Sequence, residues 1–207
     1  GLRFPSWCTY GPSITRGILN YTRQHQISWE LVGNLPSYGE MEVVQIDSEW
    51  DGDAAILFRS SEDELQAFKK RGIPVVVLSS EGPADEEARV HPDNEQVGRL
   101  AFTHLAESMV NQFAFLGRGE TLYTEERFAP GQRQYSRDRL KGFREATTEK
   151  GFQFQSHLLE GQPLWKEDSW KLVENEVKGY LETLPSPCGL FVVDDSLGAI
   201  ALKAAKE

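Results

Sequence analysis

The chain has 207 residues, of which 39% are hydrophobic and 26% are charged. These fractions are ordinary for a soluble protein with a packed core and argue against an intrinsically disordered chain. The length allows one large domain or two small ones. The formal net charge is −10, which argues against direct binding of nucleic acid, because Lys and Arg must displace counterions from the phosphates.

The sequence shows no targeting or membrane segment. No apolar window approaches the roughly 18 residues of a membrane span, and residues Gly1 to Gly11 lack the basic region, apolar run and cleavage site of a signal peptide. Cys8 and Cys188 lie far apart and belong to no C-x-x-C pair. We therefore expect a cytoplasmic protein with reduced, buried thiols and no membrane contact.

Short apolar runs alternate with amphipathic segments along residues 1–90. That alternation predicts βαβ units wound into a parallel sheet. The first helix is expected to begin at its N-cap, Ser13, and to have Ile14, Ile18 and Tyr21 on one face. The predicted elements are strands at Leu2 to Cys8, Ser28 to Val32, Ala54 to Phe58 and Ile73 to Leu78, with helices after Ser13, from Glu40 to Glu49 and from Ser61 to Gly72.

A polar stretch from Ser79 to Val90 is expected to be a crossing loop that ends the first domain, and a second βα series follows it. The stretch from Gly117 to Gln134 is too long for an ordinary connection, which indicates a mobile or functional loop. The predicted elements are strands at Phe113 to Leu116, Phe152 to Leu158 and Gly189 to Val193, with helices after Asp93 or Asn94, from Ser136 to Lys150, from Asp168 to Thr183 and after the last strand.

The ends of several helices and the inner face of one can be predicted from the sequence. Asp93 or Asn94 can cap the helix that opens the second series. Gly72 and Gly151 each stand where a helix is expected to close. The inner face of the first helix of the second series is expected to carry Val97, Leu100, Ala101 and Leu105.

Polar residues just after the strands are the candidates for ligand binding, because open α/β sheets bind ligands beyond the carboxyl ends of their strands. They combine carboxylates, guanidinium groups and an aromatic face, which together suit a polyol such as a sugar. Trp7 and Trp165 are further possible platforms for a pyranose ring. The candidates are Tyr10, Arg59, Asp93, Arg139, Asp194 and Asp195.

Each candidate also has a structural interpretation. Asp93 could only cap a helix, Arg139 could pair with an acid on its own helix, and Tyr10 could fill core space. Asp194 and Asp195 follow an apolar strand directly, so the two acids repel each other unless a donor-rich ligand or a cation lies nearby. Capping of the next helix accounts for one of them.

Catalysis has little support in the sequence. No G-x-S-x-G, H-E-x-x-H, P-loop or G-x-G-x-x-G motif follows a strand. The histidines lie on separate elements without the spacing of metal ligands, so we predict no metal site, no cofactor and no enzyme activity. One enzymatic alternative remains, in which Asp194 and Asp195 bind a metal for phosphoryl or glycosyl chemistry.

Three segments resemble the effector domains of the lactose-repressor and galactose-repressor regulators. Residues 92–105 are similar to the family pattern D-N-x-x-x-G-x-x-A-x-x-H-L, and residues 135–143 are similar to S-x-x-R-x-x-G-F. Residues 189–199 resemble the strand and N-D or T-D pair of the ligand pocket, with Asp194 in place of the commoner Asn or Thr. Among subgroups, residues 16–21 and Trp29 look most like the xylose-operon regulators.

The resemblance implies an α/β protein of the periplasmic-binding-protein-like type I fold, with two lobes of parallel sheet flanked by helices. Residues 1–90 would form the first lobe and residues 91–207 an incomplete, C-terminally truncated second lobe. Tyr10, Asp93, Arg139 and Asp194 would hold a monosaccharide such as xylose between the lobes. DNA would be bound only through a module absent from this chain, in a homodimer. A periplasmic sugar receptor of a transporter is the alternative within the same fold.

Overall fold

A computed structural model describes residues 1–4, 10–33, 52–58, 60, 62–79, 88–119, 134–159 and 169–206, with the side chains of Tyr10 and Ser169 excepted. The chain divides into two compact units, Gly1–His91 and Pro92–Glu207. No helix within these described ranges is both long enough and apolar enough to span a bilayer.

The first unit contains a parallel sheet in which the described strands follow the order β1-β2-β3-β4. Two helices accompany it, and Ile14 and Ile18 of the first helix pack against Leu2, Phe4 and Leu78. The elements of this unit are β1 Leu2–Arg3, α1 Tyr10–Gln24, β2 Ala55–Leu57, α2 Glu62–Lys70, β3 Val75–Val77 and β4 Ala88–Arg89.

Helix α1 begins three residues earlier than the sequence predicts. Ser13 lies inside the helix and is not its N-cap. Pro12 falls in the first turn, where its missing N–H costs no helical hydrogen bond, so the helix can begin before it. Tyr21 is exposed and contacts the ring of His25, whereas Thr22 is buried, so the inner face of α1 passes through Thr22.

Two other expectations for the first unit are corrected. Residues 28–32, which the structure describes, do not form the predicted strand. An isolated bridge joins the next residue, Gly33, to Leu2. Within the described residues, the segment before Gly33 is joined to β1 by this bridge and by the hydrogen bond that Leu2 N–H donates to the Val32 carbonyl oxygen at 2.7 Å, which is too little pairing for a strand. The predicted crossing loop contains β4, whose backbone pairs with β3. The predicted helix at 40–49 lies outside the described residues.

Helix α2 agrees with the sequence. Leu65 and Phe68 are buried, as predicted, and Phe68 packs on the β2 and β3 side chains. The chain then leaves the helix through Gly72, whose φ of +70° lies in the left-handed region that favours glycine. Glu64 accepts hydrogen bonds from both Arg3 and Ser60, which ties α2 to the end of β1.

The second unit contains a parallel sheet whose described strands follow the order β6-β5-β7. The central strand β5 is buried along most of its length, and Phe113 and Phe115 pack against Phe143 in an aromatic core. The elements are α3 Asn94–Ala106, β5 Gln112–Arg118, α4 Gln134–Glu149, β6 Gln153–Leu159, α5 Ser169–Glu182, β7 Gly189–Val192 and α6 Asp195–Ala204.

The inner face of α3 agrees with the predicted one only in part. Ala101 and Leu105 pack against the core as predicted. Asn94, Gly98 and Phe102 are its buried residues, and Leu100 is 57% exposed. The prediction placed apolar side chains inward, but the side of α3 that meets α4 needs a residue without a side chain at Gly98. The predicted α/β class with parallel strands is nevertheless confirmed in both units.

Candidate ligand-binding site

The carboxyl ends of β5 and β7 bring Arg118 and Asp194 together. Leu116 of β5 pairs with Val192 of β7 in parallel register, so the residues two positions further along each segment lie side by side. Arg118 Nε donates a hydrogen bond to Asp194 Oδ2 at 2.6 Å, and Nη2 donates to Oδ1 at 3.1 Å. This two-point pair is the geometry in which guanidinium binds carboxylate most strongly.

Asp194 is also the N-cap of α6. Its Oδ1 accepts the backbone N–H of Leu197 at 2.9 Å. Asp195 lies exposed in the first turn of the same helix, where the positive end of the helix dipole favours an acid. Arg118 and the helix terminus therefore compensate the repulsion that the sequence implies between these two adjacent acids.

Arg139 lies on α4 and is held by two hydrogen bonds, which two different nitrogens of its guanidinium group donate. Nε donates to Asn94 Oδ1 at 3.0 Å, and Nη1 donates to the carbonyl oxygen of Val193 at 2.7 Å. The guanidinium carbon lies 5.4 Å from the centre of the Tyr135 ring. Nη2 makes no hydrogen bond to any described residue, so this nitrogen can donate hydrogen bonds to a ligand.

The adjacent acid and amide at the start of α3 have different roles. Asp93 is exposed and caps the helix by accepting the backbone N–H of Gln96 at 2.9 Å. Asn94 is buried and accepts from Arg139. Asp93 thus caps the helix, as its structural interpretation predicted. Asn94, and not Asp93, contacts Arg139, the arginine predicted to bind the ligand.

Sequence reasoning missed Asn94 and Arg118. Asn94 could have been found from helical spacing, because it lies four residues before Gly98 and eight before Phe102, on the buried face of α3. Arg118 was assigned to the long loop because the predicted strand ended at Leu116, whereas β5 extends through Arg118. Its backbone N–H donates to Ser136 Oγ at 3.2 Å, which joins the end of β5 to α4.

The remaining candidates are not placed by the structure. Tyr10 is the first residue of α1 in the first unit, but its side chain is outside the described part of the chain. Arg59, Trp7 and Trp165 also lie outside it. The structure therefore brings together four polar residues of the second unit, which we call the sheet-end cluster: Asn94, Arg118, Arg139 and Asp194.

The sheet-end cluster suits an uncharged polar ligand better than a cation. Arg118 places a guanidinium group directly on both carboxylate oxygens of Asp194, which opposes the approach of a metal ion. Within the described ranges, no group of three His, Cys, Asp or Glu residues is arranged to hold a metal ion. The geometry thus gives no support to the enzymatic alternative at Asp194 and Asp195.

Comparison with known proteins gives relatives in sequence and in fold. No family model matches the chain. It is 26% identical over 194 residues to the xylose operon regulatory protein of Escherichia coli K12, covering 90% of this chain and 45% of that protein. The chain therefore spans about half the length of the curated relatives it matches.

Solved structures show the same fold. A xylose-binding transcription activator superposes with a TM-score of 0.72 at 23% identity, covering 99% of this chain and 49% of that one. A periplasmic solute-binding protein from Actinobacillus succinogenes with bound D-allose gives a TM-score of 0.66 at 18% identity, covering 99% and 71%. Regulators of the lactose-repressor family are also among the neighbours. The periplasmic-binding-protein-like fold and the resemblance to these effector domains are confirmed.

Proposed function

We propose that this chain, a relative of the xylose operon regulators with a periplasmic-binding-protein-like fold, is the sugar-sensing domain of a bacterial transcription regulator. The observation that carries the proposal is the arrangement of Arg139. Its guanidinium is fixed by Asn94 and by the Val193 carbonyl, while Nη2 remains available to a ligand. The similarity to a regulator named for the xylose operon supports a pentose, with xylose as the first candidate.

The sheet-end cluster can recognise a sugar without large rearrangement. A guanidinium already held at two points loses little conformational entropy when it binds a hydroxyl oxygen. A carboxylate such as that of Asp194 can accept a hydrogen bond from a sugar hydroxyl. Donor and acceptor thus lie at one sheet edge, as vicinal hydroxyl groups require.

The rest of the ligand site is proposed from the resemblance. The two units would act as lobes, with Tyr10 and Arg59 of the first facing Asp93, Arg139, Asp194 and Asp195 of the second around a monosaccharide. Sugar binding would favour one arrangement of the lobes by differential affinity. In a cytoplasmic homodimer this would re-space DNA-binding modules outside this chain, and no reaction would be catalysed.

A periplasmic sugar receptor is the second candidate. The structural similarity to the receptor with bound D-allose favours it. The two functions differ in what accompanies the domain, because a receptor needs a secretion signal and a regulator needs a DNA-binding module. Sequencing the gene on both sides of this segment distinguishes them directly.

A thermal-shift panel tests the proposed function. The full-length protein is heated with D-xylose, L-arabinose, D-ribose, D-glucose, D-galactose or D-allose. A ligand at a hundred times its dissociation constant stabilises the folded state by about 2.7 kcal/mol, so the binding sugar should raise the Tm by several degrees. No shift with any of these sugars would contradict the proposal.

A further inference from the structure

Helices α3 and α4 touch through their backbones at two glycines. A Cβ atom added to Gly98 would lie 2.2 Å from the carbonyl oxygen of Arg139 and 2.6 Å from the backbone nitrogen of Phe143. A Cβ atom added to Gly142 would lie 2.0 Å from the carbonyl oxygen of Glu95. Neither helix can keep its position if either glycine acquires a side chain, because the obstructing atoms belong to backbone.

The two contacts are reciprocal and lie next to the sheet-end cluster. Gly98 is one helical turn after Asn94 and touches the backbone of Arg139 itself. Gly142 is three residues after Arg139 and touches the residue that follows Asn94. Gly98 therefore contacts Arg139 and Gly142 contacts the neighbour of Asn94, so both contacts limit the distance between Asn94 and Arg139.

We propose that Gly98 and Gly142 are positioning residues for ligand binding, because their backbone contacts set the Asn94–Arg139 hydrogen bond and aim Arg139 Nη2 at the ligand. The inference rests on the proposed sugar-sensing function only where sugar affinity is measured. The 3.0 Å hydrogen bond from Arg139 Nε to Asn94 Oδ1 joins two residues of the protein itself, so it can be followed without adding a sugar. A displacement of α4 by even an ångström would stretch it beyond hydrogen-bonding distance.

Ion pairs across the same helices offer a competing explanation for their spacing. Arg99 pairs with Glu145 and Glu149, and Lys141 Nζ lies 2.6 Å from Glu95 Oε1. The hydrogen bond that Lys141 Nζ donates to Glu95 raises the pKa of Lys141. All of these groups are partly or largely exposed, and exposed ion pairs contribute little. The glycine contacts therefore dominate the spacing.

The first experiment follows Arg139 without any sugar. The ¹H–¹⁵N resonance of Arg139 Nε, assigned by its loss in Arg139→Lys, is recorded in the full-length protein and in Gly142→Ala, Asn94→Ala and Arg99→Ala. It should move in the first two variants and stay in place in Arg99→Ala. An unmoved resonance in folded Gly142→Ala would overturn the proposal, as would an equal movement in Arg99→Ala. If Gly142→Ala gives no folded circular dichroism spectrum, Arg99→Ala decides. A resonance that moves in Arg99→Ala would show that the ion pairs set the spacing of the helices and would overturn the proposal, whereas an unmoved resonance supports the glycine contacts.

The second experiment measures affinity for the sugar found in the thermal-shift panel. Gly142→Ala should weaken binding about tenfold or more in the natural background, since a misplaced contact group costs that much. The same change should weaken it less than about twofold when Arg139→Ala is already present. Equal losses in both backgrounds would refute positioning through Arg139.

Gly179→Ala on α5 is the matched control, because nothing lies within 4 Å of a Cβ added there. It should leave both the Arg139 resonance and the sugar affinity unchanged, and a change in either would overturn the proposal. If the natural protein binds no sugar, the proposed function fails while the resonance experiment still tests the positioning role.

Discussion

Arg118 stabilises the fold through Asp194, a partner 76 residues away in sequence. Its side chain is 10% exposed, and its guanidinium group donates two hydrogen bonds to Asp194. Arg118→Ala should lower the free energy of unfolding by about 2 kcal/mol, because a partly buried carboxylate loses its charged donors. Urea denaturation of the full-length protein, followed by circular dichroism, measures this loss.

Arg137→Ala is the control for that experiment. Arg137 lies on α4, its side chain is 60% exposed, and its pair with Asp138 has an N–O distance of 3.4 Å. Its removal should change the free energy of unfolding by less than about 0.5 kcal/mol. Equal effects of the two substitutions would show that the Arg118 pair contributes no more than a surface pair does.

The site could be predicted from the sequence only where a residue follows a clear strand or fits a motif. Asp194 lies two residues after the end of β7, and Arg139 occupies the arginine position of the S-x-x-R-x-x-G-F pattern. Arg118 could not be found this way, because its role depends on the register of β5 with β7. Asn94 was missed because a capping acid stands beside it and offers a simpler reason for a polar residue there.

At the scale of elements, α4 anchors the second unit through Phe143. This side chain is fully buried and contacts the rings of Phe113, Phe115 and Phe191. Phe143→Ala should cost about 3–5 kcal/mol, because it leaves a cavity in a packed aromatic core. The measurement is again the urea midpoint with the slope of the transition checked for constancy.

Leu172→Ala on α5 gives the comparison for an exposed apolar residue. Leu172 is largely exposed, so its truncation should change stability by less than about 0.5 kcal/mol. A Phe143→Ala protein as stable as the Leu172→Ala protein would contradict the described core.

Strands and helix ends were predicted well where the sequence has a clear apolar run or a glycine at a helix end. Apolar runs gave β5 and β7, and Gly72 and Gly151 ended their helices with positive φ values of 70° and 74°. The face of α3 was predicted only in part: Ala101 and Leu105 pack against the core, but hydrophobic periodicity cannot recognise Asn94 and Gly98 as buried residues of that face. That face depends on where α4 lies, which is information from tertiary structure.

At the scale of the molecule, the fold could be predicted because three family-like motifs lie at residues 92–105, 135–143 and 189–199 of the second unit. The comparisons confirm the fold and the resemblance, and they leave the sugar as a proposal. The identity of a ligand depends on the shape of a complete binding site, which the four residues of the sheet-end cluster do not define alone. A net charge of −10 agrees with the proposal that DNA contacts are made by a separate module.

The central claim is that a sugar binds at the sheet-end cluster of the second unit through Arg139. Isothermal titration calorimetry of the full-length protein with D-xylose, in the natural form and as Arg139→Ala and Arg137→Ala, tests it most directly. The account predicts saturable binding that weakens about tenfold or more in Arg139→Ala, because donors fixed beside the ligand are lost, and that is unchanged in Arg137→Ala. Binding of equal strength in all three proteins would contradict it.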